Sequence, residues 1–185
     1  MTDQEIVERY WRRDEGAIGA TAEKYGAYCL TVANNILNDS LDAEECVNDT
    51  WLRTWQALPP QKPARLRPFL AKITRNLAFD RFRSGKAAKR GGGELPLVLE
   101  ELGECCGGGD VEEELQAAEL QAFVNRFLHA LPGRERSVFL RRYFFAEPLA
   151  AIAARYGLKE SHVRVILHRT RAKLRAHLEQ EGFLE

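Results

Sequence analysis

The side chains that most often carry chemistry, cysteine and histidine, form no recognisable site in this sequence. The four cysteines show no C-x-x-C spacing, and no histidine is close enough in sequence to complete a zinc quartet. No H-E-x-x-H, G-x-S-x-G or Walker motif occurs. Cys29 and Cys46 fall in helical patterns, where a buried thiol acts as a small hydrophobe. The sequence therefore predicts a protein that is not an enzyme and that has no metal and no cofactor.

Charged side chains offer a second kind of chemistry, because basic blocks can bind polyanions. The 27 Lys and Arg balance the 27 Asp and Glu, so the formal net charge is zero. Residues 1–60 nevertheless carry a net −6, residues 61–93 a net +9, residues 94–122 a net −9 and residues 123–185 a net +6. Two basic blocks favour binding to nucleic acid. Solvated helix faces that happen to cluster would give the same pattern.

The elements that must position these charges are predicted to be helices, in an all-α chain with two small domains. The first domain spans 1–84 and the second spans 116–185. Between them, residues 85–115 contain 8 of the 14 glycines and are acidic after a basic start. Such a composition buries too little apolar surface to offset its ordering entropy, so we expect a flexible linker. A short apolar run within it, 95–102, is a candidate for docking on a domain.

Apolar periodicity predicts four helices in the first domain, over about 6–13, 17–37, 42–58 and 68–84. The third helix is expected to start with Asp42 as its N-cap and Glu45 completing a capping box. On the fourth helix, the predicted core stripe consists of Phe69, Leu70, Ile73 and Leu77.

The solvent side of the third helix is predicted to carry a leucine within an acidic stripe. At about 100° per residue, Ala43, Val47 and Thr54 turn toward the core. The opposite side carries Glu45, Asp49, Leu52 and Gln56, with Asn48 and Arg53 at its margins. This stripe indicates a docking surface for a basic helical partner. A lone exposed leucine is also common and needs no function.

The fourth helix and the loop before it combine cations with aromatic rings. The side opposite its predicted core carries Lys72, Arg75, Phe79, Phe82 and Arg83, and the loop adds Lys62, Arg65 and Arg67. This combination suits unpaired nucleic acid, since cations follow phosphates and rings stack on bases. Alternatively, the two phenylalanines pack against another helix and the cations are merely solvated.

A helix-turn-helix is predicted in the second domain. Pro148 begins a helix over 149–156, Gly157 ends it, and a longer helix follows over 160–178. Ala153, Gly157 and Val163 have the A-x3-G-x5-V spacing of the motif, which favours DNA binding over a plain helical hairpin. Its outward residues suit the major groove, and they are Ser161, Arg164, Val165, His168, Arg169 and Arg175. Before the motif, Arg141 and Arg142 are predicted to hold the DNA backbone.

Three segments in this order resemble bacterial RNA polymerase sigma factors of the small, two-domain extracytoplasmic-function type. The segments are DAEECVNDTWLRTW, RPFLAKITRNLAFDRFRS and ALPGRERSVFLRRYFFAEPLAAIAARYGLKESHVRVILHRTRAKLRAHL. The resemblance implies binding to core RNA polymerase through Glu45, Asn48, Asp49, Leu52 and Gln56. It implies binding of the −10 element through Lys62, Arg65, Arg67, Lys72, Arg75, Asn76 and Arg83. It implies binding of the −35 element through Ser161, His162, Arg164, Val165, His168, Arg169 and Arg171.

The resemblance therefore predicts a transcription initiation factor whose partners are core RNA polymerase and promoter DNA, with an anti-sigma protein as a further candidate. Lys159, His162 and Ile166 depart from the family pattern, so they affect which −35 sequence is bound. The alternative is a stand-alone helix-turn-helix regulator whose first domain binds a protein or an effector. The polar N-terminal residues and the short apolar runs predict a cytoplasmic protein without signal peptide or membrane insertion.

Overall fold

A computed structural model of the chain describes residues 1–84, 98, 101, 102 and 114–183. Regular secondary structure within these residues is helical, with no strand, so the predicted all-α class is confirmed. The chain divides into two compact units, Met1–Leu95 and Pro96–Glu185. The adjacent Cys105 and Cys106 lie outside the described residues.

The first unit packs helices around a core of aliphatic and small side chains. Its helices are α1 Asp3–Trp11, α2 Gly16–Leu37, α3 Ser40–Ala57 and α4 Leu66–Arg83. α1 begins earlier than the periodicity predicted because Thr2 and Glu5 form a capping box, each side chain bonding the other residue's backbone N–H. The Asp3 carboxylate then accepts the backbone N–H of Leu66 at 2.9 Å, which ties α1 to the start of α4.

The N-cap of α3 is Asp39, so the prediction of Asp42 was wrong. Asp39 has extended backbone angles, and its Oδ1 accepts the backbone N–H groups of Leu41 and Asp42 at 3.0 Å each. Asn38 precedes it in the left-handed conformation that ends α2. The helix therefore gains nearly a full turn, and Leu41 becomes part of it.

Replacing Asp39 with alanine is expected to destabilise the first unit by about 1 kcal/mol, because two N–H groups of the first turn lose their acceptor. Asp42→Ala is the matched control, since it removes a carboxylate three residues on without removing the cap. Urea unfolding followed by tryptophan fluorescence measures both variants in the unit that holds all three tryptophans. Equal losses in the two variants would contradict the assignment of the cap.

The core stripe of α4 also differs from the prediction. Leu70 is buried as expected, but Phe69, Ile73 and Leu77 are only half-buried. The side that packs against α2 and α3 carries Leu66, Leu70, Ala71, Thr74 and Ala78. Small side chains let helices approach closely, and a pattern weighted by large apolar residues misplaces such a face.

The two cysteines of this unit behave as predicted. Cys29 and Cys46 are fully buried, and the Cys46 thiol donates to the backbone carbonyl of Thr74 at 3.5 Å. Burial raises the pKa of Cys29 to about 11 and that of Cys46 to about 12. Thiols this far from ionisation are poor nucleophiles, so these side chains serve packing.

The second unit contains the predicted helix-turn-helix. Its helices are α5 Glu114–Ala130, α6 Gly133–Phe139, a π-helical turn Leu140–Phe144, α7 Leu149–Tyr156 and α8 Glu160–Gln180. Gly157 ends α7 in the left-handed conformation, with φ 62° and ψ 34°, where a side chain would be strained. Ile152, Ala153 and Val163 are buried where α7 and α8 cross. The motif and its internal face are therefore confirmed.

Part of the predicted linker belongs to the second unit. The boundary between the units falls after Leu95, and the helical residue Val98 is only 1% exposed. Glu101 and Leu102 are helical and half-buried. An apolar residue that is buried this completely contributes to the core of the unit that holds it.

Candidate partner and nucleic-acid interfaces

The solvent side of α3 is an exposed stripe flanked by leucines. Leu52 is 55% exposed, and Leu41 is 69% exposed eleven positions earlier, three turns away on the same side. We call the stripe the α3 face, and it consists of Leu41, Glu45, Asn48, Asp49, Leu52 and Gln56. The sequence prediction missed Leu41 because it started the helix at Asp42. The turn sequence Asn38-Asp39-Ser40 was the available signal for the earlier start.

The carboxylates of the α3 face are paired with a cation inside the same unit. Arg81 of α4 contacts Glu45 Oε2 at 3.0 Å and Asp49 Oδ2 at 2.5 Å. The hydrogen bond with Glu45, aided by that with Asp49, raises the pKa of Arg81 despite its desolvation. The α3 face therefore carries less net negative charge than its sequence indicates, because Arg81 neutralises part of it. Its two leucines lie on either side of these ion pairs.

The loop between α3 and α4 and the first turn of α4 place cations beside aromatic rings from other helices. The Lys62 ammonium lies 5.8 Å from the ring centroid of Trp11, and the Arg67 guanidinium lies 4.3 Å from that of Tyr28. Trp11 is exposed, and its indole N–H donates to the Gln61 carbonyl at 3.2 Å. Neither ring was singled out from the sequence, because they lie on α1 and α2, distant along the chain.

The predicted nucleic-acid residues of α4 share one side of that helix. Lys72, Asn76 and Arg83 are exposed, and Arg75 is half-buried with its guanidinium 4.5 Å from the ring centroid of Phe79. Burial, together with the charge of Arg83, lowers the pKa of Arg75. The Phe79 ring thus contacts the Arg75 guanidinium of the same helix. This arrangement leaves the charge of α4 at the surface, where it can meet phosphates.

An open groove of about 520 Å³ lies between α3 and α4. Phe69, Ile73 and Leu77 contribute its apolar side chains, which explains why these residues are only half-buried. Its lining also includes Gln56 from the α3 face and Lys72 and Asn76 from the basic side of α4. The structure therefore brings the predicted protein-binding and nucleic-acid-binding residues to one groove.

The outward side of α8 presents the predicted DNA-binding residues to solvent. Ser161, His162, Arg164, Val165, His168 and Arg169 are all exposed. Arg164 makes one long ion pair, 3.9 Å, with Glu160 in the preceding turn. Lys159 occupies the N-cap without a side-chain hydrogen bond to the helix. The first turns of α8 are thus accessible from solvent, as a helix that enters the major groove must be.

Two of the arginines proposed to contact DNA have partners inside the second unit. Arg142 is 1% exposed; it donates to Glu101 Oε1 at 2.8 Å and to the Glu147 carbonyl at 3.1 Å. A buried side chain cannot contact the DNA backbone, so the prediction that Arg142 holds the backbone was wrong. Arg171 is half-buried and donates to the Tyr143 hydroxyl at 2.6 Å.

Arg141, the neighbour predicted to share this role, is half-buried and bonds Glu147 Oε1 at 2.7 Å and the Tyr156 hydroxyl at 3.1 Å. It thereby joins the π-helical turn to α7. Sequence position alone could not separate these internal arginines from the exposed ones, because all follow helical spacing in a basic segment.

Two other features are absent from the described part of the chain, a membrane-spanning helix and a metal-ligand cluster. Within those residues, no helix is both long and apolar enough to span a membrane. The same residues hold no cluster of three or more histidine, cysteine, aspartate or glutamate side chains that could ligate a metal ion.

Both halves of the chain match families of known proteins. A model of sigma-70 region 2 matches residues 21–88, and a model of sigma-70 region 4 matches residues 127–176. The chain is 31% identical over 150 residues to the probable RNA polymerase sigma factor RfaY of Xanthomonas campestris. That match covers 80% of this chain but only 37% of RfaY.

Two other relatives match over most of their length. The ECF RNA polymerase sigma factor SigL of Mycobacterium tuberculosis is 27% identical over 169 residues, which cover 88% of this chain and 89% of SigL. The RNA polymerase sigma factor NccH of Alcaligenes xylosoxydans is 29% identical over 188 residues, covering 97% of this chain and 98% of NccH.

Proposed function

Since the chain belongs to the sigma-70 family of RNA polymerase sigma factors, we propose that it binds core RNA polymerase and directs transcription initiation at promoters with −10 and −35 elements. The observation that carries this proposal is the presence of region 2 and region 4 in that order on one chain. The resemblance to this family noted from three sequence segments is thereby confirmed. The activity of the whole protein is our inference from that membership.

The surfaces of the two units suit different partners. The α3 face, with two exposed leucines around an ion-paired centre, suits a protein partner and is assigned to core polymerase. The cation-rich loop and α4, with Lys72 and Arg83 at the surface, suit the unpaired strand of the −10 element. The exposed first turns of α8 suit the duplex −35 element.

We assign no chemistry to the chain itself, because core polymerase supplies the catalytic site and the factor supplies promoter choice. An anti-sigma protein that inhibits such a factor would act by covering the α3 face or α8, since both are exposed. The alternative, a stand-alone helix-turn-helix regulator, has no need of a surface that docks on polymerase.

Reconstitution with bacterial core polymerase tests the proposal. The purified chain is mixed with core, isolated by gel filtration, and supplied with a pool of genomic fragments whose transcripts are sequenced. We expect co-elution with core and new transcript starts downstream of a shared pair of elements. A chain that neither co-elutes nor starts any transcript contradicts the proposal.

Arg164→Ala is expected to reduce discrimination between −35 sequences by about 1–3 kcal/mol if its guanidinium contacts a base edge. The matched control is Arg155→Ala, because Arg155 is also an exposed arginine with one long ion pair, 3.7 Å to Glu147, but lies on α7, outside the predicted −35-binding residues. Competition between matched and mutated −35 duplexes, measured with the holoenzyme, gives the discrimination for each variant. An equal loss on all sequences would instead assign Arg164 to a phosphate.

A further inference from the structure

A carboxylate from the predicted linker is bound in a cationic pocket of the second unit. The pocket consists of Arg142 and Tyr143 on the π-helical turn and Arg171 on α8, and we call it the carboxylate pocket. Glu101 Oε1 accepts from Arg142 at 2.8 Å, and Glu101 Oε2 accepts from the Tyr143 hydroxyl at 2.8 Å. Arg171 Nη1 lies 3.5 Å from the same Oε2. Val98, buried three residues earlier, fixes the segment in place.

The electrostatics favour an ionised Glu101. Burial by itself raises the pKa of Glu101, but hydrogen bonds from Arg142 and Tyr143 and the charges of Arg142 and Arg171 outweigh it, so that the pKa lies below its usual range. The bound group is therefore an anion, held by a guanidinium, a hydroxyl and a second guanidinium. Backbone phosphates are bound by the same kinds of donor.

One wall of the carboxylate pocket belongs to the DNA-binding helix. Arg171 follows Arg164 by seven positions, two helical turns, and therefore lies on the same side of α8. Helix residues beyond the base-reading turns commonly contact backbone phosphates. Yet the Arg171 side chain is only 17% exposed, since it faces Glu101 and donates to Tyr143 at 2.6 Å.

The two arginines hold Glu101 unequally. Arg142 is buried and makes the 2.8 Å contact, whereas the Arg171 contact is longer, 3.5 Å, and its side chain reaches the surface. Arg171 is therefore the cation that can exchange this anion for another one while Arg142 keeps its structural partner.

We propose that Glu101 and a backbone phosphate of duplex promoter DNA compete for Arg171, so that the docked linker segment weakens duplex binding by the free chain. The inference rests on the proposed function, because it assumes that α8 meets duplex DNA. It assigns Arg171 to a phosphate rather than to a base. It also makes a carboxylate of the predicted linker a competitor for DNA.

The test measures binding of the full chain to a fluorescein-labelled 30-base-pair duplex of mixed sequence by fluorescence anisotropy over a range of NaCl concentrations. A phosphate contact needs no particular sequence, so this probe suffices. Glu101→Gln keeps the shape of the side chain and removes its charge. We expect its affinity to rise roughly threefold to tenfold at low salt, and the slope of log affinity against log salt to steepen by about 0.9 for one added phosphate contact.

The matched control is Glu135→Gln, because it makes the same change of charge in the same unit. Glu135 pairs with Lys173 of α8 at 2.9 Å, and Lys173 lies nine positions after Arg164, on the opposite side of the helix. The control should gain little affinity. Adding Arg171→Gln to Glu101→Gln should abolish the gain.

A second variant keeps the test decisive if Glu101→Gln unfolds the second unit by leaving Arg142 without its carboxylate. Tyr143→Phe retains the Glu101–Arg142 contact and removes the hydroxyl that links Arg171 to Glu101. Tyr143→Phe should raise duplex affinity by a smaller factor than Glu101→Gln does. If Glu101→Gln does not fold, the affinity of Tyr143→Phe alone decides whether the proposal holds.

The proposal is overturned if the folded variants bind the duplex like the wild type, if no variant binds it at all, if Glu135→Gln gains as much as Glu101→Gln, or if the gain survives Arg171→Gln. Those outcomes leave the proposed function intact wherever the wild-type chain directs initiation with core polymerase. Conversely, a gain in Glu101→Gln without any initiation would retain the competition and contradict the sigma-factor proposal.

Discussion

Replacing Leu52 with arginine is expected to weaken binding to core RNA polymerase by about 2–3 kcal/mol, roughly 30- to 150-fold in Kd. Leu52 is the exposed leucine next to the Glu45–Arg81–Asp49 ion pairs. At a docked interface, the new guanidinium would lose water without gaining a carboxylate, since both nearby carboxylates already bond Arg81. A partner surface that is basic would add repulsion.

Leu30→Arg is the matched control, because Leu30 is another exposed leucine of the first unit but lies on α2. It should bind core like the wild type, whereas Leu41→Arg should weaken binding if the α3 face extends to the first turn. Binding is measured by titrating labelled core, with circular dichroism as a check of folding. Wild-type affinity in a folded Leu52→Arg variant would exclude the α3 face as the docking site.

Changing Asp49 would test the same surface less cleanly. Asp49 bonds Arg81 of α4, so Asp49→Arg would place two guanidinium groups in contact where an ion pair joined α3 to α4. Loss of binding could then follow from a shifted helix. Leu52 has no such internal role, because its side chain is largely exposed.

Replacing Arg142 with methionine is expected to lower the free energy of unfolding of the second unit by about 3 kcal/mol. Methionine retains much of the aliphatic packing, so the change isolates the charge and its hydrogen bonds. The variant leaves Glu101 without its 2.8 Å partner and the Glu147 carbonyl without a donor. Removing one member of a buried ion pair is far more damaging than removing both, because an uncompensated charge remains.

The chain offers a convenient way to measure this loss, because all three tryptophans lie in the first unit. Tryptophan fluorescence during urea unfolding should therefore remain unchanged in Arg142→Met, while the far-ultraviolet circular dichroism should show an earlier transition. Adding Glu101→Leu should recover part of the loss, since the carboxylate is then removed together with its closest cation. A wild-type dichroism curve for the single variant would show that Arg142 does not hold the unit together.

The sequence by itself determined the features that depend on local spacing. The helix-turn-helix follows from Gly157, which occupies the left-handed position, and from the 3.6-residue period that turns Val163 inward and Arg164 outward. The acidic and basic helices were recognisable for the same reason. The local pattern was weakest where two similar residues competed for one role, as Asp39 and Asp42 did for the cap of α3.

Only the tertiary structure decided which charges remain available to a partner. Glu45 and Asp49 share Arg81, which is 32 positions beyond Asp49, and Glu101 meets Arg142 across 41 positions and Arg171 across 70. Periodicity places a cation on a face of its helix but cannot choose its partner, because that choice depends on which helices pack together. The sequence therefore predicted candidate interfaces, and packing separated the exposed charges from those already neutralised within the fold.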